Sequence, residues 1–363
     1  MKSSKPVIRL VIYILMFSSC TFLFSQNINE IKLKDFNPVS IYNTPVSHIT
    51  KAKYPIIDFH SHDYPKSKAE VETWIKTMDE TGIAKIIILS YSTGSRFDSI
   101  VDKYAPYKDR FEVWCGFDYT GYDKPGWQTH AVAELERCFK KGAKGVGELG
   151  DKGLGEFYSF PTKGSGLHVD DPAMKPLIEK CGALGMPISI HVSEDAWMYL
   201  DADASNDGLM NAGKWKVDMT KPGILGHDAL VKTLENAVKQ NPGTTFIACH
   251  LANTCSDLSQ LGRLFDLYPN LYADIAARYG ELAPVPRTVK AFMEKYAGKI
   301  VYGTDMGMAK EMYLITLRIL ESADEHFYDR EHFNYHWPLH GLDLSDKTLR
   351  KIYNRNAKKI LAK

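Results

Sequence analysis

Asp58-Phe59-His60-Ser61-His62 brings two imidazoles and a carboxylate together within five residues. Tyr54–Phe59 reads as a short buried strand, and side chains two apart on a strand share a face. Asp58, His60 and His62 should then point the same way, with both imidazoles at the strand's carboxyl end. Two neutral imidazoles so placed can grip one divalent ion. The same placement recurs downstream. Glu148, His191 and His250 each close a short apolar run, and Asp305 follows Ile300-Val301-Tyr302-Gly303-Thr304. A charge or imidazole at the end of an apolar strand is costly unless something compensates it. A set of histidine and carboxylate, with no thiolate demanded, suits zinc or another first-row ion such as manganese. Such an ion lowers the pKa of bound water to about 7 and polarises a carbonyl oxygen. Asp305 is the candidate proton shuttle, and His250 the group that orients or polarises a substrate oxygen.

These residues need a scaffold that gathers strand ends. The strand candidates are Tyr54–Phe59, Ala84–Leu89, Glu112–Phe117, Lys144–Leu149, Pro187–His191, Thr245–His250, Leu271–Asp274 and Ile300–Thr304. Between them lie amphipathic stretches at Ala69–Thr81, Gln128–Lys141, Pro172–Leu184, Ala229–Lys239, Ser256–Tyr268, Pro286–Lys295 and Lys310–Ser322. Strands alternating with helices predict a parallel α/β fold, and eight of them a single closed (β/α)8 TIM barrel. An open doubly wound sheet is the alternative. Against it, no G-x-G-x-x-G or P-loop follows the first strand. In a barrel the strand ends converge on one rim, so residues far apart in sequence can share one ion. Two long strand-to-helix connections, 150–171 and 193–226, emerge on that rim. The second carries Trp197, Tyr199 and Trp215, which could cover a flat or sugar-like ligand or simply pack the loop. Arg278, shortly after the seventh strand, could bind a carboxylate bidentately or sit on a helix surface.

The ends of the chain read differently from its middle. Lys2, Lys5 and Arg9 precede the short apolar run 10–17, and polar residues follow from Asn27. This pattern predicts an export signal over residues 1–26, too brief for a spanning helix. Phe17-Ser18-Ser19-Cys20 is similar to a bacterial lipoprotein box, so Cys20 is a candidate lipid anchor. Residues 27–53 form a polar lead-in, and 54–363 the barrel. The expected location is the bacterial periplasm or cell envelope. A net charge of +1 gives no reason to expect nucleic acid or an anionic membrane surface as partner. The five cysteines beyond Cys20 are odd in number and include no C-x-x-C, which argues for buried thiols rather than a disulfide framework.

With these motifs in place, the chain resembles the amidohydrolase superfamily, most closely its amidohydrolase-2 branch. The resemblance rests on Asp58-Phe59-His60-Ser61-His62, Gly147-Glu148-Leu149, Pro187-Ile188-Ser189-Ile190-His191, the strand ending at His250, and Tyr302-Gly303-Thr304-Asp305. The closing Tyr353-Asn354-Arg355-Asn356-Ala357 also matches. It implies a metal-dependent barrel in which His60, His62, His191 and Asp305 are metal ligands. Glu148 stands at the strand-four position that in some relatives holds a ligand. No lysine stands there for carbamylation, which leaves one ion or two open. The branch contains hydrolases and non-oxidative decarboxylases. The expectation is a hydrolase acting on a lactone, amide or related carbonyl bond of a small molecule. A decarboxylase is the alternative, and a non-catalytic metal- or sugar-binding barrel a third reading.

Overall fold

The computed structural model describes residues 27–362, so the predicted signal 1–26 and Cys20 lie outside the described residues. Residues 27–36 contain one 3-10 turn, Leu33–Asp35, with no buried side chain. From residue 37 onward the chain builds eight parallel strands. They are β1 Ile56–Ser61, β2 Ile83–Leu89, β3 Phe111–Trp114, β4 Val146–Asp151, β5 Ile188–Val192, β6 Phe246–Ala248, β7 Leu271–Asp274 and β8 Ile300–Val301. Their ladder runs in two arcs, β1-β2-β3 and β4-β5-β6-β7-β8. Single contacts bridge the gaps. Cys115 pairs in parallel with Val146 between β3 and β4. Between β8 and β1, the Phe59 N–H donates to the Tyr302 carbonyl at 2.8 Å, and the Asp305 N–H to the His60 carbonyl at 3.0 Å. The order is that of a (β/α)8 barrel.

Sequence explains the outer layer. The helix Lys68–Thr81 starts where Ser67 accepts from the Glu70 N–H and ends at Gly82, whose φ of 88° only glycine adopts freely. Its buried Val71, Trp74 and Met78 recur at helical spacing and pack on the strands. The ring's interior is a separate apolar cluster, including Phe59, Leu89, Trp114, Tyr272 and Val301, with Ala357 and Ile360 of the closing helix Asn356–Leu361. That helix is tied to β8, because Asn356 Nδ2 donates to the Ala297 and Ile300 carbonyls at 2.7 and 2.6 Å. The family-like ending is thus a plug for the barrel. All five described cysteines are buried free thiols.

Several expected boundaries move. The sixth strand stops at Ala248, two residues before His250, and the eighth at Val301. The fourth begins at Val146 and runs past Glu148 to Asp151. A helix at Gly94–Tyr104, absent from the sequence reading, completes the unit between β2 and β3. Among the described residues no helix is long and apolar enough to cross a membrane.

Candidate metal centre

Four imidazoles and two carboxylates meet at the carboxyl end of the ring. Each histidine is held from outside by a group that can only accept. His60 Nδ1 lies 2.9 Å from Asp274 Oδ2, and His62 Nδ1 lies 2.9 Å from the Leu89 carbonyl. His250 Nδ1 meets the Ala276 carbonyl at 2.8 Å, and His191 Nε2 the Ser193 carbonyl at 2.7 Å. The outward nitrogens therefore carry the protons, and the inward ones present lone pairs when the rings are neutral. Those inward nitrogens face Glu148 and Asp305. His191 Nδ1 is 2.8 Å and His250 Nε2 3.4 Å from Glu148 Oε1. His62 Nε2 is 3.0 Å from Asp305 Oδ1. His60 Nε2 is 3.8 Å from Glu148 and 3.9 Å from Asp305, and has no hydrogen-bond partner.

Lone pairs converging on carboxylates require positive charge between them. The donor sets His60–His62–Glu148 and Glu148–His191–His250 each draw together closely enough for one ion. The buried, partnerless His60 Nε2 is the clearest sign, because an unpaired buried acceptor costs about 1–3 kcal/mol. The arrangement fits a divalent cation. The same field favours protons. Burial opposes charge on His60, yet Asp274 beside it holds its pKa well above the ordinary value. Burial also opposes ionisation of Glu148, but the neighbouring His191 and His250, with His60, hold its pKa well below the carboxylate range. Asp305 is lowered likewise, with His60 and His62 overcoming burial. His250 goes the other way, since burial lowers its pKa and keeps it neutral.

Local backbone aims these groups. His250, Leu251, Ala252 and Asn253 all have φ between 54° and 58°, a left-handed turn that swings His250 inward after β6 ends. Asp305 has φ of 52°, also left-handed. Non-glycine residues held there are strained and must be fixed by their surroundings. Gly303 lets β8 approach β1, because a Cβ there would sit 2.9 Å from that of His60.

The candidates from sequence sort as follows. His60, His62, Glu148, His191, His250 and Asp305 come together. Asp58 does not join them. Its Oδ2 accepts from the Thr304 hydroxyl at 2.6 Å, and a register shift between Asp58 and Ser61 breaks the strict two-residue alternation. Arg278 lies on the wall of the adjoining cavity but spends its guanidinium on Asn253, Ala277 and Glu281. Trp197 packs edge-on to Tyr335 and Trp337, whereas Trp215 borders the cavity. Sequence reasoning missed Asp274, which accepts from His60 Nδ1 and from the His250 and Ala276 N–H groups. It ends a predicted strand, so the rule used for the other five would have found it. It also missed Tyr64, whose hydroxyl donates to Asp305 Oδ1 at 3.3 Å.

A cavity of about 650 Å³ opens onto this centre. His191, His250 and Asp305 form its floor, Met198, Trp215, Phe333 and Tyr335 its apolar walls, and Lys152, Lys214 and His332 add cationic or polar groups. Asp305 is the most open of the centre's carboxylates, 23% exposed against 6% for Glu148.

The fold and site define a (β/α)8 barrel protein with a histidine–carboxylate centre at the carboxyl rim. The model of the family Amidohydro_2, described as amidohydrolase, matches residues 92–363. The chain belongs to this family; His60 and His62 precede the matched stretch. No curated protein matches the chain. Among solved structures it is similar to 2,6-dihydroxybenzoate decarboxylase from Rhizobium, at 14% identity and a TM-score of 0.52, covering 85% of this chain and 99% of that one. A putative amidohydrolase from Staphylococcus aureus is similar at 16% identity and a TM-score of 0.53, covering 85% and 100%. So is a dihydroxybenzoic acid decarboxylase from Polaromonas, solved with manganese and 2-nitroresorcinol, at 14% identity and a TM-score of 0.52, covering 85% and 97%. These likenesses concern the fold.

Proposed function

We propose that this chain is a divalent-metal-dependent decarboxylase of a small aromatic carboxylic acid. The observation that carries the reading is the cavity: the aromatic side chains Trp215, Phe333 and Tyr335 and the cationic Lys214 line the same space as Asp305 and His250. Flat apolar walls suit an aryl ring, and Lys214 suits an acid, whereas Lys152 is already paired with Glu194. The decarboxylases named above, similar in fold, act on small aromatic acids, which agrees with it. His60, His62, His191 and Asp305, with Glu148, would hold the ion. When bound, a divalent ion there supplies Lewis acidity to a substrate oxygen; manganese is the ion to test first, and zinc the second.

The chain's own groups handle the proton. Decarboxylation breaks the bond between ring and carboxylate carbon, releases CO2 and puts a proton on the ring carbon. Asp305 faces the cavity, with the Tyr64 hydroxyl and His62 Nε2 both on Oδ1, and would relay that proton, taking it from solvent water and passing it to the ring carbon as CO2 leaves. His250, kept neutral and fixed by the Ala276 carbonyl, orients the substrate.

Hydrolysis is the second reading, and one observation favours it. Asp305 is strongly held in its ionised form, which suits a base that takes a proton from water. The deciding experiment incubates manganese-loaded protein with a panel of hydroxybenzoates and lactones. CO2 release without lactone opening supports the proposal; lactone opening without CO2 sinks it. Export through residues 1–26, with Cys20 as lipid anchor, is part of the proposal. Fractionation of cells producing the full chain and a Cys20→Ala variant tests it.

A further inference from the structure

Arg278 is only 7% exposed, and each of its guanidinium nitrogens is engaged by the protein. Nε and Nη2 both donate to Asn253 Oδ1, at 3.0 and 2.6 Å. Nη1 donates to the Ala277 carbonyl at 3.0 Å and to Glu281 Oε1 at 3.3 Å. Asp195 Oδ2 lies 3.4 Å from Nε. Asp195 and Glu281 are themselves buried, and Arg278 is the cation beside both. A guanidinium committed in this way has little left for a substrate carboxylate.

Asn253 continues the path toward the centre. Its Nδ2 donates to the Val192 and Ser193 carbonyls at 3.0 and 3.1 Å. The Ser193 carbonyl is the group that also accepts from His191 Nε2 at 2.7 Å. Asn253 is also the last residue of the left-handed turn that starts at His250. Four successive non-glycine residues in that region are strained, so the turn needs an external hold. The His227 ring adds one, through Nε2 to the Asn253 carbonyl at 2.8 Å.

We propose that Arg278 and Asn253 form one strut that positions His191 and His250 toward the metal, and that Arg278 is not a substrate ligand. The strut acts on His191 by fixing the carbonyl that orients its ring. It acts on His250 by pinning the far end of its turn. The inference rests on a divalent cation occupying the centre, and is independent of whether the reaction is decarboxylation or hydrolysis.

Two variants of the full-length protein test it. Arg278→Lys keeps a positive charge for Asp195 and Glu281 but loses the fork on Asn253. Asn253→Asp keeps the acceptor for Arg278 but sets a carboxylate oxygen against the Val192 and Ser193 carbonyls. Manganese affinity is read by competition with a fluorescent chelator, beside the melting temperature of the metal-free protein and the KM of any substrate found. The expected result is a loss of affinity of about 10–100-fold in each, typical for groups that orient metal ligands. The double variant should be no worse than the weaker single one, because both cut the same strut. If Arg278→Lys does not fold, Asn253→Asp alone carries the test. Unchanged manganese affinity with a raised KM would show Arg278 to be a substrate clamp and overturn the proposal. A lower melting temperature with unchanged affinity would overturn it as well. Wild-type protein that binds neither manganese nor zinc would overturn both the strut and the metal reading beneath it, a result separable from a loss confined to the variants.

Discussion

Asp274 Oδ2 sits 2.9 Å from His60 Nδ1, with both side chains fully buried, while Asp274 Oδ1 takes the His250 N–H at 2.9 Å. One carboxylate thus sets the tautomer of a β1 histidine and the position of the turn after β6. Replacing it with Asn leaves one oxygen and puts an amide N–H where an acceptor is needed. Asp274→Asn should weaken metal retention by about 10–100-fold, as for other partners of metal-binding histidines. Metal content after dialysis in dilute manganese checks this.

Metal removal should cost stability as well as activity. A ligand that binds only the folded chain stabilises it by about 2.7 kcal/mol at a hundred times its dissociation constant. Treatment with a chelator should therefore lower the melting temperature, and manganese should restore it. A melting curve indifferent to both would mean that His60, Glu148 and Asp305 do not share an ion.

Asp305→Asn keeps the shape but removes the group proposed to exchange the proton. With metal content matched to wild type, turnover should fall by about 10²–10⁴-fold. Full turnover at matched metal would rule out the shuttle. Tyr64→Phe, which deletes the hydroxyl on Asp305 Oδ1, should have a smaller effect and move the pH profile.

Gly303→Ala would drive a methyl group to 2.9 Å from the His60 Cβ and 3.1 Å from that of Ala276. Both neighbours are buried at the barrel rim, so relief has to come from a backbone shift. We expect a loss of about 1–3 kcal/mol, as for overpacked cores, and weaker metal binding with it. Denaturant unfolding measures the first.

Away from the centre, Glu235 sets part of the acid stability. Paired hydrogen bonds from Arg263, at 2.8 and 3.0 Å, outweigh burial and, with Lys232 and Tyr268, pull its pKa down to about 2. A depressed folded-state pKa stabilises the fold above the ordinary 4.5, and that stability is lost as pH falls toward 2. Arg263 is half exposed, so solvent screening reduces the effect to roughly 1–2 kcal/mol. Glu235→Gln should be less stable than wild type at pH 7 and equal to it near pH 2. Urea midpoints at the two pH values decide.

The barrel and most of the candidate centre are legible in the order of residues, for a simple reason. A polar residue ending an apolar strand is conspicuous, and parallel strands in one barrel send those ends to one rim. His60, His62, Glu148, His191, His250 and Asp305 were all legible in that way. How their rings are oriented depends on contacts made only on folding. Tautomers depend on outside acceptors such as Asp274 and the Ser193 carbonyl, which no local pattern links to their histidines. The inward swing of His250 comes from a left-handed turn in residues with no glycine among them, where propensity argues against it. Sequence left Arg278 open between a carboxylate clamp and a helix-surface residue, and the fold instead buries it against Asn253, Asp195 and Glu281. Periodicity records which face a residue occupies; the partner it finds there is a property of chain segments that meet only after folding.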